Sequence, residues 1–342
     1  MRTELAGEVD RVRDEVADAV SSLLLSRHPD RGQPDDDRAA APGVQGVRRH
    51  LDFLRAAVEL DDPATFRDHA LWCRDLLDAR GLDCVLLTEM LAALGDELSG
   101  RLSPRAAEAV DIALRTAADA LAGAHPSPRP LGDRLSSACR LYLAATLTGR
   151  RNNALAIVRE SVDGGASPLD VYIDIFQNAL YEVGRRWETA GLTVAEEHMA
   201  TATTQFILSV LHEESPRAPG LRGTAVVTGV VNERHLVGAS IVANVLDAEG
   251  WDVRFLGTDL PHDAIISVIE QSRAGLVAVS VTMSECVAEA GALIAAIRRR
   301  CAPPPRILVG GRAFLADPEL WRALGADGFA PDARSVAELA RV

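Results

Sequence analysis

The chain contains no lysine; all 36 of its basic residues are arginine. A Schiff base to retinal or to pyridoxal phosphate needs a lysine amine, so neither can be held covalently. No apolar run approaches the roughly 20 residues of a membrane-spanning helix. The opening MRTELAGEVDRVRDEV lacks the apolar region of a secretory signal. A cytoplasmic protein with no membrane partner is expected. The five cysteines (Cys73, Cys84, Cys139, Cys286 and Cys301) are odd in number and scattered, which suits neither a disulfide framework nor a zinc site. Excess positive charge is lacking too. A net charge of −13 argues against a nucleic-acid surface, which would need a basic stripe; the acidic balance points to protein partners or self-association.

The 342 residues, 48% of them hydrophobic, suffice for two or three domains. Residues 1–27 have apolar positions at three- and four-residue steps, the helical period. Residues 28–43 are polar and rich in Pro and Gly, a loop pattern. Helices are expected over 44–60, 62–81, 82–98 and 103–121, with Asp62-Pro63 and Ser103-Pro104 as cap and first-turn signals. Residues 1–122 thus form an all-α domain, and 123–130 a linker. Residues 131–213 predict four helices (131–147, 152–162, 167–187 and 193–212) joined by short connections, a four-helix bundle. A second linker covers 215–223. From 224 to 342 strands alternate with helices, the α/β signature. Strands are expected at 224–231, 252–256, 276–281, 306–309 and near Gly328, in a flavodoxin-like (Rossmann-type) sheet of order 2-1-3-4-5. Ligands of such sheets bind at the switch point, outside the carboxyl ends of strands 1 and 3.

The chemistry-bearing residues collect at that edge. Glu233-x-His235-x-x-Gly238 follows strand 1, Gly257-Thr258-Asp259 follows strand 2, Ser280-Val281-Thr282 ends strand 3, and Gly310-Gly311 ends strand 4. Glycines let backbone approach a bulky ligand, Ser and Thr supply hydrogen bonds, and the histidine stands at the mouth of the slot. The bland alternative is a sheet-edge histidine with no ligand, since short motifs recur by chance. In the bundle, Trp187 is followed after nine residues by Glu197-His198.

The sheet pattern resembles the cobalamin-binding domain, whose signature is Asp-x-His-x-x-Gly, then Ser-x-Leu or Ser-x-Thr, then Gly-Gly. The resemblance implies that His235 displaces the benzimidazole base and ligates cobalt from below. Ser280, Thr282, Gly310 and Gly311 would line the slot for the nucleotide tail. Glu233 stands where most members have Asp, and the carboxylate would fix the imidazole tautomer and raise its basicity. Trp187 with Glu197-His198 resembles the Trp-x9-Glu-His cover of adenosylcobalamin in photoreceptors of the CarH type. Glu188 follows Trp187 where those proteins have a histidine, so His198 or water would take the upper position after light.

Those regulators begin with a DNA-binding domain, whereas this chain begins with an acidic helical one. Residues 44–121 look like the globin-like sensor module of the photocobilins, which implies biliverdin as a second chromophore. Candidate contacts are His50, His69, Trp72, Cys73 and Cys84, with Phe66, Arg48, Arg49, Arg67 and Arg74 nearby. The expectation is therefore a non-enzymatic cobalamin photoreceptor that responds through light-dependent self-association or a protein partner. The alternatives are a corrinoid carrier of a methyltransferase system and a cobalamin-type fold with no cofactor.

Overall fold

Apolar side chains at helical spacing drive the described residues of the first part of the chain into five helices. These are α1 (Arg2–Arg27), α2 (Val44–Leu60), α3 (Pro63–Ala79), α4 (Val85–Ser99) and α5 (Pro104–Ala122). In α2, Val47, His50, Leu51, Leu54, Ala57 and Val58 share one buried stripe. Asp61 closes α2 in the left-handed conformation, and Asp62-Pro63 opens α3. The start of α5 is held from a distance: the Glu8 carboxylate accepts hydrogen bonds from Ser103 N (2.8 Å) and Oγ (2.9 Å).

The structure, a computed structural model, describes residues 2–28, 43–79, 84–123, 135–189, 191–218, 222–315 and 319–341. The loop assigned to 28–43 lies outside these except at its ends. So do the end of the third helix at Gly81, the linker after Gly123, and residues 219–221 of the second linker. By internal packing the chain divides into two units. One comprises Met1–Arg129 with Arg186–Leu192; the other comprises Pro130–Arg185 with Thr193–Val342.

The second unit opens with α6 (Ser137–Leu147) and α7 (Arg151–Asp163). Ser136 caps α6 through the Cys139 amide; residues 135 and 136 precede the helix, which the sequence placed from 131. Next comes a continuous helical rod: α8 (Pro168–Asp170), a π-helical stretch over Val171–Gln177, and α9 (Asn178–Glu188). The sequence shows this rod but not its π turn. That turn is packed by the rings of Tyr142, Tyr172 and Phe176, and the Cys139 thiol donates to the Ile175 carbonyl at 3.5 Å. Helix α10 (Val194–Glu214) starts with a capping box between Thr193 and Glu196.

The α/β part has five parallel strands: β1 (Thr224–Thr228), β2 (Asp252–Gly257), β3 (Leu276–Ser280), β4 (Arg306–Gly310) and β5 (Gly328–Ala330), in the order β2-β1-β3-β4-β5. Five helices accompany them: α11 (Leu236–Ala248), α12 (His262–Ser272), α13 (Val287–Arg300), α14 (Leu320–Ala323) and α15 (Ala333–Leu339). β3 is buried at every position, whereas the edge strand β2 exposes Arg254 and Phe255. Two differences from the sequence matter. β1 stops at Thr228, three residues early, because Gly229 turns toward the β2 loop. The C-terminal α15, capped by Asp332 on Ser335 N, went unread because it is only seven residues long. No described helix is long and apolar enough to cross a membrane.

The five-helix unit carries an acid-sensitive element. His50 and His69 are buried, and burial holds His69 well below the ordinary imidazole range and His50 at about 4. Unfolding releases both to an ordinary value near 6.5. The unfolded chain therefore binds more protons below that pH, and stability is lost as pH falls from 6.5 toward 4. The loss is roughly 1–2 kcal/mol per pH unit for each ring. A His50→Leu chain is expected to show a shallower fall in helix melting temperature between pH 7 and 5. An unchanged slope would remove the histidines as its cause.

Candidate functional site

The loop between β1 and α11 carries the site. His235 occupies the N-cap position of α11, and its side chain is 53% exposed while that of Glu233 is fully buried. Glu233 Oε1 lies 2.6 Å from His235 Nδ1 and accepts the His235 amide at 2.8 Å. Oε2 accepts the amides of Thr282 (2.6 Å) and Met283 (3.3 Å), just past β3. Burial alone would push the Glu233 carboxyl up. The hydrogen bonds and charge of His235, with the Thr282 amide, outweigh it and hold the group below its ordinary value. An ionised Glu233 fixes the Nδ1–H tautomer, so Nε2 carries the lone pair, the form a metal takes.

The loop itself is braced. Asp259, after β2, accepts the Asn232 amide at 2.8 Å, its own amide donates to Val230 O at 3.1 Å, and Gly229 N donates to Gly257 O at 2.8 Å. Asn232 and Asp259 both sit in the left-handed region, with φ 66 and 60, which Asn and Asp tolerate better than most residues. A side chain on Gly229 would approach Thr258 Cγ2 to 2.7 Å. The sequence placed Asp259 only at the sheet edge, after strand 2. The missing signal was its pairing with Asn232, two αL-tolerant residues after neighbouring strands.

The slot residues converge as the sheet order requires. Ser280 pairs with Gly310 in register, and Ser280 Oγ lies 3.7 Å from where a Gly238 side chain would begin. Gly311, at φ 108, passes so close to the Val281 carbonyl that no Cβ fits. Glu233, His235, Gly238, Ser280, Thr282, Gly310 and Gly311 thus share one sheet edge that offers one oriented imidazole; the carbonyls of Ala330 and Val281 leave no room for a Cβ at Gly310 and Gly311. These residues fit a corrinoid.

On α10, Glu197 Oε2 lies 2.7 Å from His198 Nδ1, and Glu197 Oε1 accepts from Thr201 Oγ1 at 2.8 Å. His198 is 73% exposed and is held as His235 is, through Nδ1 on a carboxylate. Trp187 packs in the N-terminal unit, its ring stacked 6.3 Å from that of Trp72. In the same unit His50, His69 and Cys73 are buried together, Trp72 is half-buried, and Cys84 is half-buried with its thiol 3.2 Å from Asp78 Oδ1.

A parallel five-stranded sheet with a carboxylate-braced histidine at its switch point, preceded by a helical bundle, defines a corrinoid-binding module. Residues 223–340 match the family described as B12 binding domain, and residues 139–212 match a second family of the same description. The two matches support a corrinoid as the cofactor. The chain is 31% identical to the HTH-type transcriptional repressor CarA of Myxococcus xanthus, over 45% of this chain and 52% of that one. It is 26% identical to monomethylamine corrinoid protein 1 of Methanosarcina acetivorans, over 32% and 52%. The chain thus spans about half the length of each. The solved structure of the Methanosarcina barkeri monomethylamine corrinoid protein shares the fold, with a TM-score of 0.51 at 19% identity, covering 58% of this chain and 94% of that one.

Proposed function

We propose that the chain is a light sensor that holds adenosylcobalamin on His235 and reports loss of the upper adenosyl group through its N-terminal unit. What supports this reading is the spacing of Trp187 and Glu197-His198 in the sequence, which resembles the cover of an adenosyl ligand. Trp187 belongs to the pattern that covers the upper ligand, and a carrier must leave that face open to its enzyme. When bound, adenosylcobalamin supplies a cobalt–carbon bond that visible light breaks. His235 would hold the metal through Nε2, and Glu233 would keep the ring basic and oriented. Glu197 holds His198 through Nδ1, so its Nε2 would be free to bind a metal once the adenosyl group is lost. A change at Trp187 is felt by Trp72, a two-state element biased by a ligand, and self-association or a protein partner reads it out. The N-terminal helices, a globin-like sensor in this reading, seat biliverdin against Trp72. Cys73 is sealed in the core whereas Cys84 is half-buried, so any covalent attachment falls to Cys84.

The test is an absorption spectrum in the dark with adenosylcobalamin, after desalting, and again after green light, alongside hydrodynamic size. Retention, spectral conversion and a size change are expected. Trp187→Ala should keep the conversion and lose most of the size change. Cobalamin that binds but responds to light in neither spectrum nor size would hand the function to the carrier reading. A long-wavelength band on adding biliverdin is the expected sign of the second chromophore.

A further inference from the structure

His69 and Cys73 lie one turn apart on α3, hence on one helical face, and His50 faces them from α2. His50 Nδ1 is 3.0 Å from His69 Nε2, and His69 Nε2 is 3.7 Å from Cys73 Sγ. One donor atom from each residue lies within 4.8 Å of the other two, and all three residues are buried. Phe53 stacks flat on His69 at 3.7 Å, with Phe66 and Trp72 on further sides, so the rings are held and dry. His50 Nδ1 is the atom aimed at His69; its Nε2, on the far side of the ring, is buried without a hydrogen-bond partner whether or not the cluster is filled.

We propose that His50, His69 and Cys73 form a buried three-coordinate site for a soft monovalent metal ion, Cu(I). Two imidazoles and a thiolate in a plane hold a metal with donor separations of about 3.5–3.8 Å, given metal–nitrogen and metal–sulfur bonds of about 2.0 and 2.3 Å. The cluster needs only side-chain adjustments to reach this. Softness favours copper for the thiolate. Charge selects its oxidation state. Cu(I) with one thiolate and two neutral imidazoles is neutral, whereas a divalent ion would leave a net positive charge in a desolvated core. The charged residue whose field reaches all three ligands is Arg49, also a cation. On binding, two Cu–N bonds and one Cu–S bond form, the Cys73 S–H bond breaks and its proton goes to buffer; copper stays monovalent and no electron moves. The site shares no residue with the corrinoid site.

The experiment titrates the full chain, without air, against the coloured Cu(I) complex of bathocuproine disulfonate. The wild type is expected to withdraw one equivalent. Cys73→Ser and His69→Gln should lose that uptake while keeping their helical circular dichroism, and Cys84→Ser should retain it. Copper K-edge absorption on the wild type needs no variant and should show two nitrogen neighbours and one sulfur. The proposal is overturned if the wild type takes no copper, if Cys73→Ser takes as much, or if equal Zn(II) displaces it. A biliverdin band lost in Cys73→Ser, with no copper uptake by the wild type, also overturns it and makes the cluster a bilin contact.

Discussion

A His235→Ala chain is expected to lose its corrinoid on desalting, or to keep it only with the nucleotide base still on cobalt. The ring is half-exposed at the mouth of the slot, and its Nδ1 is spoken for by Glu233 at 2.6 Å. Removing the ring would remove the metal bond proposed for it, while the glycines at the strand ends would be untouched. Glu233→Gln separates the ligand from its support. Gln keeps the shape but not the charge. Its amide must turn one N–H₂ toward a donor, either His235 Nδ1–H or the amides of Thr282 and Met283. Loss of such a support costs about 10–100-fold in metal affinity. The ordering to check by dialysis against free cobalamin is wild type, then Glu233→Gln, then His235→Ala. Full retention of the base-off spectrum in His235→Ala would remove His235 as the ligand and with it the central assignment of the site.

The part of this site that sequence could show is the part set by strand ends. His235, Ser280 and Gly310 each follow an apolar run, and parallel order then forces them to one edge. What sequence could not show is which backbone groups the buried carboxylate collects. The Thr282 and Met283 amides are 49 and 50 residues from Glu233, and only sheet order brings them there. The Trp187 pattern was legible as spacing, but its Trp72 partner was not, because a long-range ring contact leaves no periodic trace. The π turn at Val171–Gln177 was hidden for a similar reason: one extra residue in a turn barely perturbs a helical pattern. In the N-terminal unit the residues were found and their setting was not. His50, His69 and Cys73 read as ligand contacts, and only burial showed them sealed together in a core.

The Gly311→Ala chain is expected to be among the least stable single variants of the α/β part. Gly311 has φ 108 and ψ 170, a region open essentially to glycine alone and costing other residues about 1–3 kcal/mol. Space is short as well. A Cβ there would overlap the Val281 carbonyl oxygen and lie 2.7 Å from the carbonyl carbon. Val281 cannot retreat freely: its N–H donates to Gly310 O at 2.9 Å, and its carbonyl accepts from Ala313 N at 3.3 Å. Overpacking against fixed backbone adds about 1–3 kcal/mol. The sum, about 2–6 kcal/mol, is a large share of a typical stability of about 5–15 kcal/mol and corresponds to a fall in Tm on the order of 10 °C. Gly165→Ala separates the two causes. Gly165 has φ 99 but nothing within 4 Å of its would-be Cβ, so it tests strain without collision. Thermal unfolding should rank wild type above Gly165→Ala and Gly165→Ala above Gly311→Ala. Corrinoid retention should fall in Gly311→Ala alone, because forcing Val281 away also drags the neighbouring Thr282 amide from Glu233. Equal losses in the two variants would mean that the β3 and β4 ends yield easily, and that the close approach at Gly311 is not what holds the slot open.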